Sequence, residues 1–223
     1  MSLAVLCIYA VVFLVLFVLS IPALALATGH RSPYVPLLFA ILLFFFALLA
    51  SIAEIIIQSD IDPFDNISND AFVATQGINT LFSSWNIALV FLAFAHLIKV
   101  RADNVLRSSG NQATGLNPLF TVAYFAAFVL IFVFATTMSG LYIDYLRAIY
   151  DGPLLNIAEI NKKGIAYSDV LYAFSAIWYA SSIFLGVFAF LAYRTVQRAG
   201  ITDKASHGHL NAYSFILTSL FRS

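Results

Sequence analysis

Five stretches of the chain, each about as long as the apolar core of a bilayer is thick, contain almost no charge. They run from residues 3 to 27, 35 to about 57, 71 to about 95, 118 to 143 and 170 to 193. A helix of about 20 apolar residues crosses the hydrocarbon, and it must be a helix because backbone groups there find no water. Only the second stretch has a full charge inside it, at Glu54. Period-two alternation is lacking, which argues against a membrane β-barrel. The expected fold is therefore all-α, a polytopic transmembrane helical bundle forming one domain over residues 1–223, with the lipid bilayer as its first partner.

Composition supports this reading. Of 223 residues 62% are hydrophobic and 10% charged, outside the balance of a water-soluble domain. The net charge is zero, so no basic surface points to nucleic acid. The single cysteine, Cys7, has no partner for an intramolecular disulfide.

Local signals place several helix ends. Asn117 before Pro118 reads as a cap and first helical residue, Ser168 with Asp169 as the opening of the fifth helix, and Gly29 and Gly200 as terminators of the first and fifth. A last apolar run, residues 210 to 221, is about 18 Å long as a helix and falls short of the roughly 30 Å core. It reads as a partial sixth span, expected either from a longer protein cut short or as a re-entrant or interfacial segment.

Loop charge sets the expected sidedness, because Lys and Arg near span ends stay on the cytoplasmic side. The first, third and fifth connections hold seven basic residues: Arg31, Lys99, Arg101, Arg107, Arg194, Arg198 and Lys204. The second and fourth hold three, Arg147, Lys162 and Lys163, among Asp60, Asp62, Asp65, Asp70, Asp144, Asp151 and Glu159. The N-terminus is expected outside or in a lumen, in the plasma membrane or an endomembrane. Asn66-Ile67-Ser68, an N-glycosylation acceptor triplet, falls on the side this places outside. A signal peptide cleaved after Ala25-Leu26-Ala27 is the rival reading of the first stretch. It is disfavoured because no basic segment precedes an apolar run that is too long for such a peptide.

Candidate site residues lie toward the outer ends of the second and third spans. Gln76, Asn79, Ser83 and Asn86 recur at intervals of three, four and three, which a helix gathers within about 80° of arc. The stripe serves either as interhelical hydrogen bonding or as the wall of a solvent-accessible pocket. Glu54 shares a face with Ala47, Ser51 and Gln58. An ionisable group inside a span is expensive, and it reads either as a neutral, hydrogen-bonded acid or as a proton acceptor or ligand counter-ion. Thr136, Thr137, Ser139, Tyr142, Tyr145, Tyr172, Ser175, Trp178, Tyr179, Ser181 and Ser182 add polarity at the same level, much of it expected to be an interfacial aromatic belt. His96, beside Lys99, reads as an interface residue.

No metal site, cofactor or catalytic constellation is expected. His207-Gly208-His209 with Asp203 lacks further spaced ligands, and no nucleotide-binding glycine loop or serine nucleophile motif occurs. The chain reads as a non-enzyme of receptor-like or sensor-like architecture with a small-molecule ligand at the polar cluster. The alternatives are a small-molecule or proton-coupled transporter and a scaffold or assembly subunit with a membrane-protein partner.

Gly29-His30-Arg31-Ser32 after the first helix, followed by an aromatic second run ending in Glu54, loosely resembles the fungal seven-helix integral membrane proteins of unassigned function. The resemblance implies a seven-helix bundle and names no ligand. The Asp-Arg-Tyr of G-protein-coupled receptors is absent, with Lys99-Val100-Arg101 in its place.

Overall fold

The most buried side chains lie on three helices, α3 (Asn66–Ser108), α4 (Pro118–Tyr150) and α5 (Ile157–Arg198), in repeats close to seven residues. Ala88, Ala95 and Ala102 of α3 are all fully buried, and Phe91 and Ile98 alternate with them. On α4 the same spacing links Tyr124, Ile131 and Met138, and on α5 Leu185, Phe188, Ala192 and Val196 follow intervals of three and four. A seven-residue apolar repeat keeps one stripe of a helix facing its neighbours, and alanine on that stripe lets backbones approach closely.

The structure is a computed structural model that describes residues 3–26, 34–59, 66–108, 118–150 and 156–198. In chain order the helices are α1 (Leu3–Leu26), α2 (Tyr34–Ser59), α3 (Asn66–Ser108), α4 (Pro118–Tyr150) and α5 (Ile157–Arg198). Among the described residues there is no strand. All five helices are long and apolar enough to cross a membrane. Successive helices run antiparallel, as shown by pairs such as Phe72 with Tyr150 at one end of α3–α4 and His96 with Tyr124 at the other. Helix α3 is the hub and packs on α2, α4 and α5, whereas α1 packs chiefly on α2 through Leu6, Ala10 and Leu48.

The outer surface is apolar. Ile8, Val11, Leu19, Leu119, Val122 and Ile183 are each more than 60% exposed, a pattern that suits lipid and would be a liability in water. The five helices of spanning length among the described residues place the protein in a membrane.

Two helices run far past their apolar stretches. Helix α3 has 43 residues, about 65 Å, and α5 has 42, about 63 Å, each roughly twice the hydrocarbon thickness. Lys99, Arg101 and Asp103 are thus helical, and Lys99 pairs with Asp103 one turn on at 3.2 Å. Hydropathy marks the lipid-crossing part of a helix, and helical hydrogen bonding continues into water wherever propensity and ion pairs support it.

Ser168 and Asp169 do not open α5. That helix begins eleven residues earlier, at Ile157. The Asn156 side-chain oxygen accepts from the Glu159 backbone N–H at 3.3 Å, and the Asn156 carbonyl accepts the first helical bond from Ile160. Asn156 with Glu159 has the spacing of a capping pair, and the Lys163–Glu159 ion pair at 3.1 Å supports the first turns. Pro118 starts α4 as expected. Asn117, Gly29, Gly200, the 210–221 segment and the His207/His209 pair lie outside the described residues.

Candidate functional site

Glu54 stands about one turn from the end of α2, where antiparallel packing brings the start of α3 beside it. The Gln76 amide nitrogen donates to the Glu54 carboxylate. Asn79, one turn further along the same face of α3, also hydrogen-bonds it. The Gln76 side-chain oxygen in turn accepts from the Tyr142 hydroxyl of α4 at 3.2 Å. One amide therefore links an acid on α2 to a phenol on α4. Ser83 extends the chain of contacts by donating to the Asn79 side-chain oxygen at 3.3 Å.

Aromatic packing carries the arrangement on to α5. The Tyr142 and Tyr167 rings lie 5.1 Å apart, and Tyr145 stacks on Tyr167 at 6.3 Å with planes 6° apart. Two glycines admit this closeness. A Cβ on Gly77 would stand 2.7 Å from Ile143 of α4, and one on Gly164 of α5 would stand 3.1 Å from the Tyr145 ring. The α3–α4 and α4–α5 approaches beside the polar cluster depend on the missing side chains.

Among the described residues no cation forms an ion pair with Glu54. Its partners are neutral donors, which satisfy the carboxylate's hydrogen-bonding capacity without compensating a negative charge. The cluster is shallow: Gln76 is six residues, about 9 Å, from Asp70, and Tyr142 is two residues from Asp144. Leu6 and Ala10 of α1 pack near Ile52 and Ile55 of α2, so the cluster and the α1 N-terminus occupy the same end of the bundle.

The structure brings together Glu54, Gln76, Asn79 and Ser83. Asn86 lies on the same face of α3, half-buried, about 15 Å along the axis from Gln76. Asn66 stands in the first turn of α3. Of the wider set of polar side chains, Tyr142 joins the cluster through Gln76 and Tyr145 stacks beside it, whereas several others turn elsewhere. Tyr172 and Tyr179 are about 70% exposed and point away from the bundle. Thr136, Thr137, Ser139 and Ser175 return their hydroxyls to carbonyls one turn back, which satisfies them within their own helices. Thr136 also accepts from the Trp85 indole at 3.0 Å, an α3–α4 contact that the sequence reading did not anticipate.

Tyr167 is the other unanticipated member. Its helix was expected to start beyond it, and the Asn156 to Glu159 spacing is the signal that would have found it.

A second polar contact occupies the opposite end of α3. His96 Nδ1 and the Tyr124 hydroxyl of α4 lie 2.9 Å apart, joining two helices where His96 was expected only to mark an interface. Gln76 and His96 are 20 residues, about 30 Å, apart along α3. Between them Ala88, Phe91, Ile131, Ala135, Leu185 and Phe188 fill the space with apolar side chains, all but Leu185 at 0–1% exposure. Among the described residues no group of three or more His, Cys, Asp or Glu is placed to hold a metal ion.

Compared with known protein families, curated proteins and solved structures, the chain matches none.

Proposed function

We propose that this multi-span membrane protein has receptor-like or sensor-like architecture and takes a small cationic ligand at Glu54, Gln76 and Asn79. The observation that carries this reading is the Gln76 amide, which holds Glu54 and Tyr142 at once while the carboxylate has no cationic partner among the described residues. A ligand ammonium drawn to Glu54 would compete with the Gln76 donor and so alter the α3–α4 contact through Tyr142. In this reading the N-terminus is outside or lumenal, the cluster opens on that side, and the Asn66-Ile67-Ser68 acceptor triplet falls at the same end.

A transporter would need polarity to continue through the inner half, and that half is where α3, α4 and α5 pack apolar side chains most tightly. The sensor reading needs only one accessible face.

The test is chemical access. In a Cys7→Ala background, Asn79→Cys and Asn86→Cys are treated with a membrane-impermeant cationic thiosulfonate added on the N-terminal side. The fully buried Ala95→Cys serves as the unreactive control. Reaction at Asn79→Cys and Asn86→Cys from that side alone is expected, and inertness of both from that side ends the proposal.

A further inference from the structure

Between the end of α4 and the start of α5 lies a pocket of about 500 Å³, whose lining includes none of Glu54, Gln76 and Asn79. Its floor is apolar, from Leu141 and Ala166, and its rim is charged. Asp144 stands on the α4 wall, with Lys162 and the Lys163–Glu159 pair on the α5 wall. Asp144 and Lys162 are both exposed, and among the described residues neither forms an ion pair. An open carboxylate and an open ammonium thus face one cavity from two helices, at a volume typical of small-ligand sites.

The surroundings identify the kind of zwitterion that suits it. Tyr142, Tyr145 and Tyr167, next in sequence to the lining residues Leu141, Asp144 and Ala166, pack on one another, and tyrosine gathers where lipid headgroups begin. On α4 the exposed face carrying Asp144 continues toward mid-helix through Gly140, Thr137, Val133 and Leu130. A Cβ on Gly140 would meet nothing within 4 Å, so that strip is open. A soluble zwitterion would have no use for such a track, whereas acyl chains would lie along it.

We propose that this pocket binds the headgroup of a zwitterionic phospholipid with a primary ammonium. Lys162 and Lys163 receive the phosphate, Asp144 accepts from the ammonium, and the acyl chains follow the exposed α4 strip. Anionic lipids with the same phosphate fit one wall and are repelled by the other.

The experiment is native mass spectrometry of the full chain, delipidated in detergent and offered phosphatidylethanolamine or phosphatidylglycerol with identical acyl chains. Wild-type protein is expected to retain phosphatidylethanolamine about threefold to fivefold better, the ratio that one exposed ion pair sustains. Asp144→Asn should bring that ratio to about one and Asp144→Glu should restore it, while Lys162→Gln with Lys163→Gln should lower retention of both lipids. Glu54→Gln should leave the ratio unchanged, which separates this site from the cluster on α2 and α3. Equal retention by wild-type protein, or an undiminished preference in Asp144→Asn, overturns the assignment. So does displacement of the lipid by glycerophosphoethanolamine at equal concentration, because the acyl track would then contribute nothing. The wild-type comparison stands even if a variant fails to fold.

Discussion

The Tyr142 hydroxyl and the Gln76 side-chain oxygen, 66 residues apart in sequence, meet at 3.2 Å, and through Gln76 the phenol is one amide away from Glu54. Removing the hydroxyl should cost little in stability and much in coupling. Tyr142→Phe should lower unfolding free energy by about 0.6 kcal/mol, the average for interhelical hydrogen bonds in a measured membrane protein. In a double-mutant cycle with Glu54→Gln, read by denaturant titration in mixed micelles, the two changes should be non-additive because they share Gln76. Strict additivity would show that the three side chains do not act as a unit.

Replacing Glu54 distinguishes loss of charge from loss of an acceptor. Glu54→Gln keeps an oxygen for the Gln76 and Asn79 donors and should fold at near wild-type stability. Glu54→Leu leaves those donors facing an apolar group, which should cost about 1–3 kcal/mol. Equal stability of the two variants would mean that the hydrogen bonds at Glu54 contribute nothing measurable.

Gly77→Ala tests the close approach of α3 and α4. The added methyl would lie 2.7 Å from Ile143, so that side chain or the helix must shift, at about 1–3 kcal/mol for overpacking. Ile143→Ala removes both contacting atoms and should recover most of the loss when combined with Gly77→Ala. A double variant no more stable than the sum of its parts would point to a backbone origin instead.

Asn156→Ala should fray the start of α5, with a loss of about 1 kcal/mol. Hydrogen exchange should quicken at the amides of residues 158–160 and stay unchanged near Phe188, and Asn156→Asp should restore protection. Uniform acceleration along α5 would contradict a local cap.

Sidedness is open to direct mapping. Glycosylation acceptors engineered into the 60–65 and 109–117 connections should be modified in the first and not in the second if the N-terminus is outside. The reverse pattern would invert the proposed orientation.

The spans were legible because hydrophobic length needs no knowledge of partners, and Glu54, Gln76 and Asn79 stood out as costly groups in apolar surroundings. Helical periodicity also placed the stripe on one face of α3. What periodicity could not supply was the identity of the facing helix, so Tyr142 was one polar aromatic among many until packing selected it. Tyr172 and Tyr179 show the converse, being similar residues that turn outward. The start of α5 was misplaced because hydropathy weighted the apolar run and passed over a capping asparagine in a polar stretch. The groove between Asp144 and Lys162 is invisible for the same reason, since both residues fall beyond the apolar runs.

Helix α3 contains no proline and runs unbroken from Asn66 to Ser108. Its alanines at 88, 95 and 102, each at 0% exposure, let the neighbouring helices come close in that layer. A shift of a few degrees at the level of Gln76 would arrive at Lys99 and Arg101 as lateral travel of their charges. The two polar ends of α3 are thus joined by one continuous helix through the driest layer of the bundle.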